Sequence, residues 1–220
     1  MLLDIDGTLL DTNYLHVLAW SRSFRRAGHA VPMHRIHELV GMGGDRLMEQ
    51  LIGEPSEEVA DGWAEEVHHL RPEIRLLPGA RDLVRGLHAR RQTVVLASSA
   101  PAADVAWFRE LLDVDAALDG ATSSDDADGS KPDPDIFEVA IERFGLDPGT
   151  TVAIGDAVWD AQAASRAGIG FVGVESGGTS ADQLRAEGAH LVARDAAALV
   201  DVLEGHGIVR LRRPDDEGRS

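Results

Sequence analysis

The sequence predicts an α/β fold, a doubly wound parallel sheet with a small α-helical insertion after its first strand. Two observations carry this reading. From about residue 80 onward, short β-branched apolar runs alternate with segments of helical period, the pattern of strands joined by crossover helices. Between residues 13 and 78 the period is helical throughout, so that stretch interrupts the sheet. The apolar runs are continuous rather than alternating, as in strands covered on both faces.

The elements follow in order. Residues 1–5 read as a short buried strand. Trp20, Phe24 and Ala27 continue a helical stripe begun at Val17, with Gly28 as its stop. Leu47, Leu51 and Ile52 mark another helix, and Val59, Trp63 and Val67 a further one. Pro78-Gly79 closes the insertion. A helix fits 80–90, a strand 93–97 and a helix 102–112. Ala116-Ala117-Leu118 is expected as a short strand. Pro134, at a first helical position after Asp133, opens a helix to about 144. Residues 151–154 are strand-like, 158–167 helical with Gly168 as the stop, and 171–174 strand-like. Ser180 and Gln183 form a capping box for a helix over 181–187. Leu191-Val192 reads as an edge strand and 196–204 as a last helix. The division is a core of 1–12 and 79–207, a helical insertion of 13–78, and a mobile tail over 208–220, where apolar residues are few.

Composition narrows the function. Acidic residues outnumber Lys+Arg by 38 to 21, a formal charge of −17. That weighs against nucleic-acid and anionic-membrane partners, which need a basic footprint. With no cysteine among the 220 residues, a disulfide framework, a thiolate zinc site and a cysteine nucleophile are excluded. No apolar run approaches a membrane span, and Asp4 and Asp6 stand where a signal peptide would begin its apolar region. A cytoplasmic monomer or homodimer is the expectation.

In open parallel sheets, ligands bind beyond the carboxyl ends of the strands. The first strand ends in Asp4-Ile5-Asp6-Gly7-Thr8, the second in Ser98-Ser99, a later loop carries Lys131-Pro132, and another strand ends in Gly155-Asp156, with Asp160 four residues on. Three carboxylates, a hydroxyl and a lysine would converge at one edge of the sheet.

Asp4-x-Asp6-Gly-Thr-Leu-Leu-Asp, Ser98, Lys131-Pro132 and Gly155-Asp156-x-x-x-Asp160, in that order over residues 1 to about 204, resemble the four motifs of the haloacid-dehalogenase-like (HAD) hydrolase superfamily. The resemblance implies a Rossmann-like core, a helical cap and phosphoryl transfer from a small phosphomonoester. Asp4 would be the nucleophile and form an aspartyl-phosphate. Asp6 would protonate the leaving oxygen and later deprotonate water. Gly7 would let the backbone leave the strand sharply. Crowded carboxylates need a counter-charge, and Mg²⁺ suits carboxylates plus phosphate. By resemblance, Asp4 and Asp156 would hold it through side chains and Asp6 through its carbonyl. Lys131 would neutralise charge on Asp4 and phosphate, and Ser98 and Ser99 would bind phosphate oxygens. Thr8, Thr12 and His16 are implied as further substrate contacts. Asp160 would orient Lys131 or a water on the metal.

Other signals carry less. Gly168-Ile-Gly170-Phe-Val-Gly173 matches a dinucleotide loop in letters, but it follows a helix and enters a strand. His34, His37, His68 and His69 lack zinc spacing and read as exposed helix residues. Gly41-Met42-Gly43-Gly44 reads as a turn of the cap. Asp6 argues against the dehalogenase branch, which lacks an acid there. The favoured reading is a phosphatase similar to phosphoglycolate phosphatases, and the alternative is a phosphomutase similar to β-phosphoglucomutase. Asp11-Thr12-x-x-x-His16-x-x-Ala19-Trp20 resembles the mutase, but Gly44 falls where its cap arginine stands, with Arg46 close by. Receiver domains also cluster Asp, Ser/Thr and Lys, yet their phosphorylated Asp follows a middle strand and they lack a helical insertion. A binding protein without turnover is the remaining class, and no motif residue is missing. Only three residues precede Asp4, so a short first strand and a less stable active-site edge are expected, in a chain that starts late relative to the family.

Overall fold

A computed structural model describes residues 1–206; the expectations for 207 and for the tail at 208–220 lie outside the described residues. Six strands form one parallel sheet: β1 (Leu2–Leu3), β2 (Val95–Ala97), β3 (Gly120–Thr122), β4 (Val152–Gly155), β5 (Gly170–Val174) and β6 (Leu191–Ala193), in spatial order β3-β2-β1-β4-β5-β6. The order reverses at β1, leaving a crevice at the carboxyl ends of β1 and β4.

Strand registry explains the unbroken apolar runs. Leu2 stands level with Val95 and Ala153, and Leu3 with Leu96 and Ile154. The first set packs with Phe137, Ala161 and Leu184 on one face, and the second with Leu83, Phe108 and Leu199 on the other. The covering helices are α7 (Asp135–Phe144), α8 (Val158–Arg166) and α9 (Ala181–Ala186) on the first face. On the second lie α5 (Ala80–Ala89), α6 (Ala102–Leu112) and α10 (Ala196–His206). The Ser180–Gln183 capping box is formed.

Residues 13–70 carry the four helices of the insertion: α1 (Asn13–Arg26), α2 (Met33–His37), α3 (Gly44–Ile52) and α4 (Glu57–Leu70). They enclose an apolar cluster of their own, including Val17, Trp20, Phe24, Leu47 and Val59. α1 lies against α4, where Ser23 donates to the Val59 carbonyl at 2.6 Å across the bare face of Gly62. Phe24 is fully buried, and such a ring is worth about 3–5 kcal/mol against alanine. Two antiparallel segments join the insertion to the sheet: Asp11 N–H donates to Arg75 O and Leu77 N–H to Leu9 O, each at 2.9 Å. Ile74 already packs with the core beneath the sheet.

Some expectations are corrected. Ala116-Ala117-Leu118 is not a strand: Asp115–Ala117 is a 3-10 turn, closed by Ala117 N–H on Val114 O at 2.8 Å. The strand is Gly120–Thr122, whose Gly and Ala carry little β signal. Its glycine faces the Phe144 ring, so close that a Cβ there would lie 2.4 Å from Cζ. The first strand ends at Leu3 rather than residue 5, although Asp4 N–H still donates to Ile154 O at 2.9 Å. Beyond it, Ile5 O accepts from Leu9 and Leu10, and the chain turns. The second strand starts at Val95 rather than 93.

Candidate active site

Asp4 and Asp6 leave β1 at the crevice, and Asp156 leaves β4 beside them. Gly7 turns the chain with φ +73°; a Cβ there would lie 2.5 Å from both Asn13 Nδ2 and Asp156 Oδ2, so only glycine fits. Lys131, from the loop before α7, reaches into the same point. Its Nζ donates to Asp4 Oδ1 at 2.6 Å and to the Ala97 carbonyl at 3.3 Å, and stands 2.8 Å from Asp160 Oδ1. Asp160 lies in the first turn of α8, and its other oxygen accepts from Ala157 N–H at 3.0 Å.

Asp4, Lys131, Asp156 and Asp160 are buried, and Asp6 is half-buried. Burial pushes the Asp4 carboxyl up to about 7, against the pull of Lys131 and with added repulsion from Asp160 and Asp6. Burial, with Asp160 and Asp4 nearby, also holds the Asp156 carboxyl well above its ordinary range. For Lys131, burial works against the ammonium, but Asp160 and Asp4 outweigh it and raise its affinity for the proton. Asp6 differs. Burial would raise it, yet the His16 imidazole and the Thr12 hydroxyl overcome that and hold its carboxyl below the ordinary range. His16 Nε2 lies 3.1 Å from Asp6 Oδ1.

One ammonium facing three buried carboxylates leaves negative charge uncompensated. Ligand oxygens of Asp4, Asp156 and Asp160 all lie within 4.8 Å of one another. Asp160 is committed to Lys131 and Ala157, Asp4 accepts from Lys131 through Oδ1, and each Asp156 oxygen accepts one hydrogen bond and keeps a second lone pair, so Asp4 and Asp156 can still hold a cation. All-oxygen, anionic donors suit a hard divalent ion.

The other expected contacts fall into two groups. Ser99 and His16 line a cavity of about 420 Å³, together with Asp4 and Asp6. Thr8, Thr12 and Ser98 are fully buried and bonded within the protein. Thr8 Oγ1 donates to Asp156 Oδ1 at 3.3 Å, Thr12 lies on the Leu10 carbonyl, and Ser98 Oγ accepts from Ala100 N–H at 3.1 Å. In this arrangement they brace the loops rather than face the cavity. Sequence reasoning missed Asn13, which opens α1 and donates to Asp156 Oδ2 at 2.7 Å and to Gly177 O at 3.1 Å. A polar residue starting a helix is ordinary, so only its place beside the first motif could have marked it. His37 also departs from expectation: it is half-buried, with Nε2 3.2 Å from the Gly177 carbonyl. The Gly41–Gly44 turn lines the cavity, and Arg46 on α3 pairs with Asp133 next to the Lys131 loop. Among the described residues, no helix is long and apolar enough to cross a membrane.

Comparison with known proteins agrees with this geometry. A family model for haloacid dehalogenase-like hydrolases matches residues 1–168. A probable pseudouridine-5'-phosphatase of Drosophila melanogaster is 31% identical over 156 residues, 66% of this chain and 67% of its own. A phosphoglycolate phosphatase of Nitrosospira multiformis is 31% identical over 182 residues, 76% of this chain and 79% of its own. The crystal structure of a hydrolase from Pseudomonas syringae superposes with a TM-score of 0.86 at 30% identity, covering 92% of this chain and 96% of that one.

Proposed function

The chain belongs to the haloacid dehalogenase-like hydrolases, and on that footing we propose a Mg²⁺-dependent phosphatase that hydrolyses a small phosphomonoester, of sugar-phosphate or phosphoglycolate type, through an aspartyl-phosphate. Its relatives named as phosphatases support a phosphoric monoester hydrolase. The observation that carries the reading is the Asp4 carboxylate at the cavity wall, one oxygen fixed by Lys131, with Asp6 beside it on His16.

In this reading Asp4 attacks phosphorus, the bond to the leaving oxygen breaks, and that oxygen takes the proton of Asp6. Water then attacks phosphorus, Asp6 takes its proton, and the Asp4–phosphorus bond breaks to release phosphate. His16 keeps the resting Asp6 ionised, in the form that accepts a proton. The first step needs Asp6 to carry a proton taken up from water when substrate binds. Lys131 holds Asp4 in place and faces the phosphoryl charge, and Asp160 holds Lys131. Asp4, Asp156 and the Asp6 carbonyl would hold Mg²⁺, which supplies positive charge for the phosphoryl oxygens. The helical insertion, residues 13–78, would act as the cap over this site, and the cytoplasm is the proposed location. The phosphomutase alternative needs a cation for a second phosphate, and Arg46, which it would use, is paired with Asp133.

The test is phosphate release with Mg²⁺ over small phosphomonoesters, in parallel with glucose phosphate isomerisation primed with bisphosphate. Asp4→Asn is expected to lower release by about three orders of magnitude or more with the fold intact. Release that survives in Asp4→Asn, or that runs fully in excess chelator, overturns the proposal. Isomerisation without net release moves the assignment to the mutase.

A further inference from the structure

The cavity beside Asp4 is walled by the insertion, and its chemistry is lopsided. Trp20 from α1, Met42 from the glycine turn, Met48 from α3 and Trp63 from α4 all line it. The rings form a stack, His16 on Trp63 at 5.6 Å between centroids and Trp63 on Trp20 at 4.9 Å. Among the described residues Trp63 Nε1 is buried without an acceptor, and the indole face lines the cavity. The polar side chains that the insertion adds are His16, already turned to Asp6, and Asp45. Among the described residues lining the cavity, none is Lys or Arg. Arg46, next in sequence to Asp45, is held away by Asp133.

A hydroxylated sugar needs many directed polar partners, and a carboxylate or second phosphate needs a cation. The insertion's wall offers no cation and only His16 and Asp45 as polar side chains; Ser99, Ser124 and Ser130, which also line the cavity, come from the sheet domain, so the apolar face belongs to the insertion. A volume of about 420 Å³ is in the range of small-molecule sites and accommodates a ring. We propose that the enzyme selects phosphomonoesters whose leaving group is uncharged, ring-sized and largely apolar, seated against Trp20, Met42, Met48 and Trp63, and discriminates against leaving groups bearing a second anion. This rests on the phosphatase reading, keeps its chemistry, and departs from both its sugar-phosphate and its phosphoglycolate substrate types.

The experiment compares benzyl phosphate, methyl phosphate, glucose 6-phosphate and phosphoglycolate, all esters of alcohols, with the Mg²⁺-loaded enzyme. Benzyl phosphate is expected to exceed each of the others in kcat/KM by about tenfold or more, the effect of burying a ring. Ala60→Phe, which fills the cavity from α4, is expected to lower the benzyl-to-methyl ratio by about tenfold. Binding of non-hydrolysable benzylphosphonate against methylphosphonate, followed by tryptophan fluorescence, reads the cavity without turnover and is expected to show a similar preference. Phosphoglycolate or glucose 6-phosphate turned over as well as benzyl phosphate overturns the inference and leaves the phosphatase standing. Silence of every ester overturns the phosphatase reading instead. Equal binding of the two phosphonates overturns the cavity inference whatever the turnover.

Discussion

Four buried side chains at the mouth of the crevice depend on one another. Lys131 is shared between Asp4 and Asp160, so removing its charge strands two carboxylates away from water. Lys131→Met is therefore expected to destabilise the fold by about 3–5 kcal/mol in urea denaturation. Adding Asp160→Asn should recover part of that loss, since one stranded charge is then gone. A Lys131→Met variant as stable as the parent contradicts the shared ion pair. The same cluster ties stability to pH. Asp4 is raised from 3.8 to about 7 in the folded chain without metal, and Asp156 is raised as well. The folded state then binds more protons than the unfolded state between those values, so stability falls as pH rises through that window. Asp6, shifted downward, has the opposite sign, but its contribution is lost only as pH falls below the ordinary carboxylate range. Urea midpoints in chelator should drop from pH 5 to pH 8, and saturating Mg²⁺ should flatten the slope by favouring the charged carboxylates. A chelated protein that gains stability over that range contradicts the raised carboxyls.

Elements were legible in proportion to the locality of their signal. The Val-Val-Leu-Ala run of β2 and the Val-Ala-Ile run of β4 declare buried strands, and Ser180 with Gln183 declares the start of α9. β3 is hidden because Gly120, set against the Phe144 ring, and Ala121 carry little strand propensity. α2, only five residues with no side-chain cap, gives no period to read. The carboxylates of the proposed site were legible because strand ends place them within a few positions of an apolar run. The cavity was not, because its wall needs side chains from α1, α3 and α4 brought together by packing. Pro78-Gly79 was read as a boundary, and the reason is now visible. Gly79 has φ +78°, and a Cβ there would lie 2.4 Å from the backbone of Ala197, where Ala197 N–H donates to Pro78 O at 3.0 Å. The turn thus seats α5 against α10. Gly79→Ala is expected to cost about 1–3 kcal/mol and to lower the Tm by several degrees in a thermal melt. An unchanged Tm contradicts this close approach.

At the scale of the whole molecule, three apolar clusters have different standing. Two flank the sheet and share its strands, so neither can open alone. The third is built by the insertion, with Trp159 of α8 packed against it, and is tied to the sheet by the paired linkers at Asp11–Arg75 and Leu9–Leu77. Its other ties to the sheet domain include polar contacts: Arg46 with Asp133, His37 with the Gly177 carbonyl, Asn13 with Asp156, and Arg71 with Asp104. Half-exposed ion pairs such as Arg46–Asp133 are each worth about 1 kcal/mol or less. Lifting the insertion also exposes Leu15 and Trp159, two side chains, whereas separating β1 from β2 and β4 exposes both flanking clusters. The insertion should therefore open as a unit at a lower free energy than the sheet. It would do so by hinging on the linkers, which is the motion a cap over Asp4 needs to admit substrate and exclude water. Native-state hydrogen exchange is expected to show amides of α1 and α4 exchanging through a common opening well below that of β1, β2 and β4. A Mg²⁺-bound phosphate mimic, held by the sheet below and covered by the insertion above, should slow α1, α3 and α4 selectively. Uniform protection across both parts, unaffected by the mimic, contradicts a hinged cap and implies a rigid site that substrate enters through a fixed mouth.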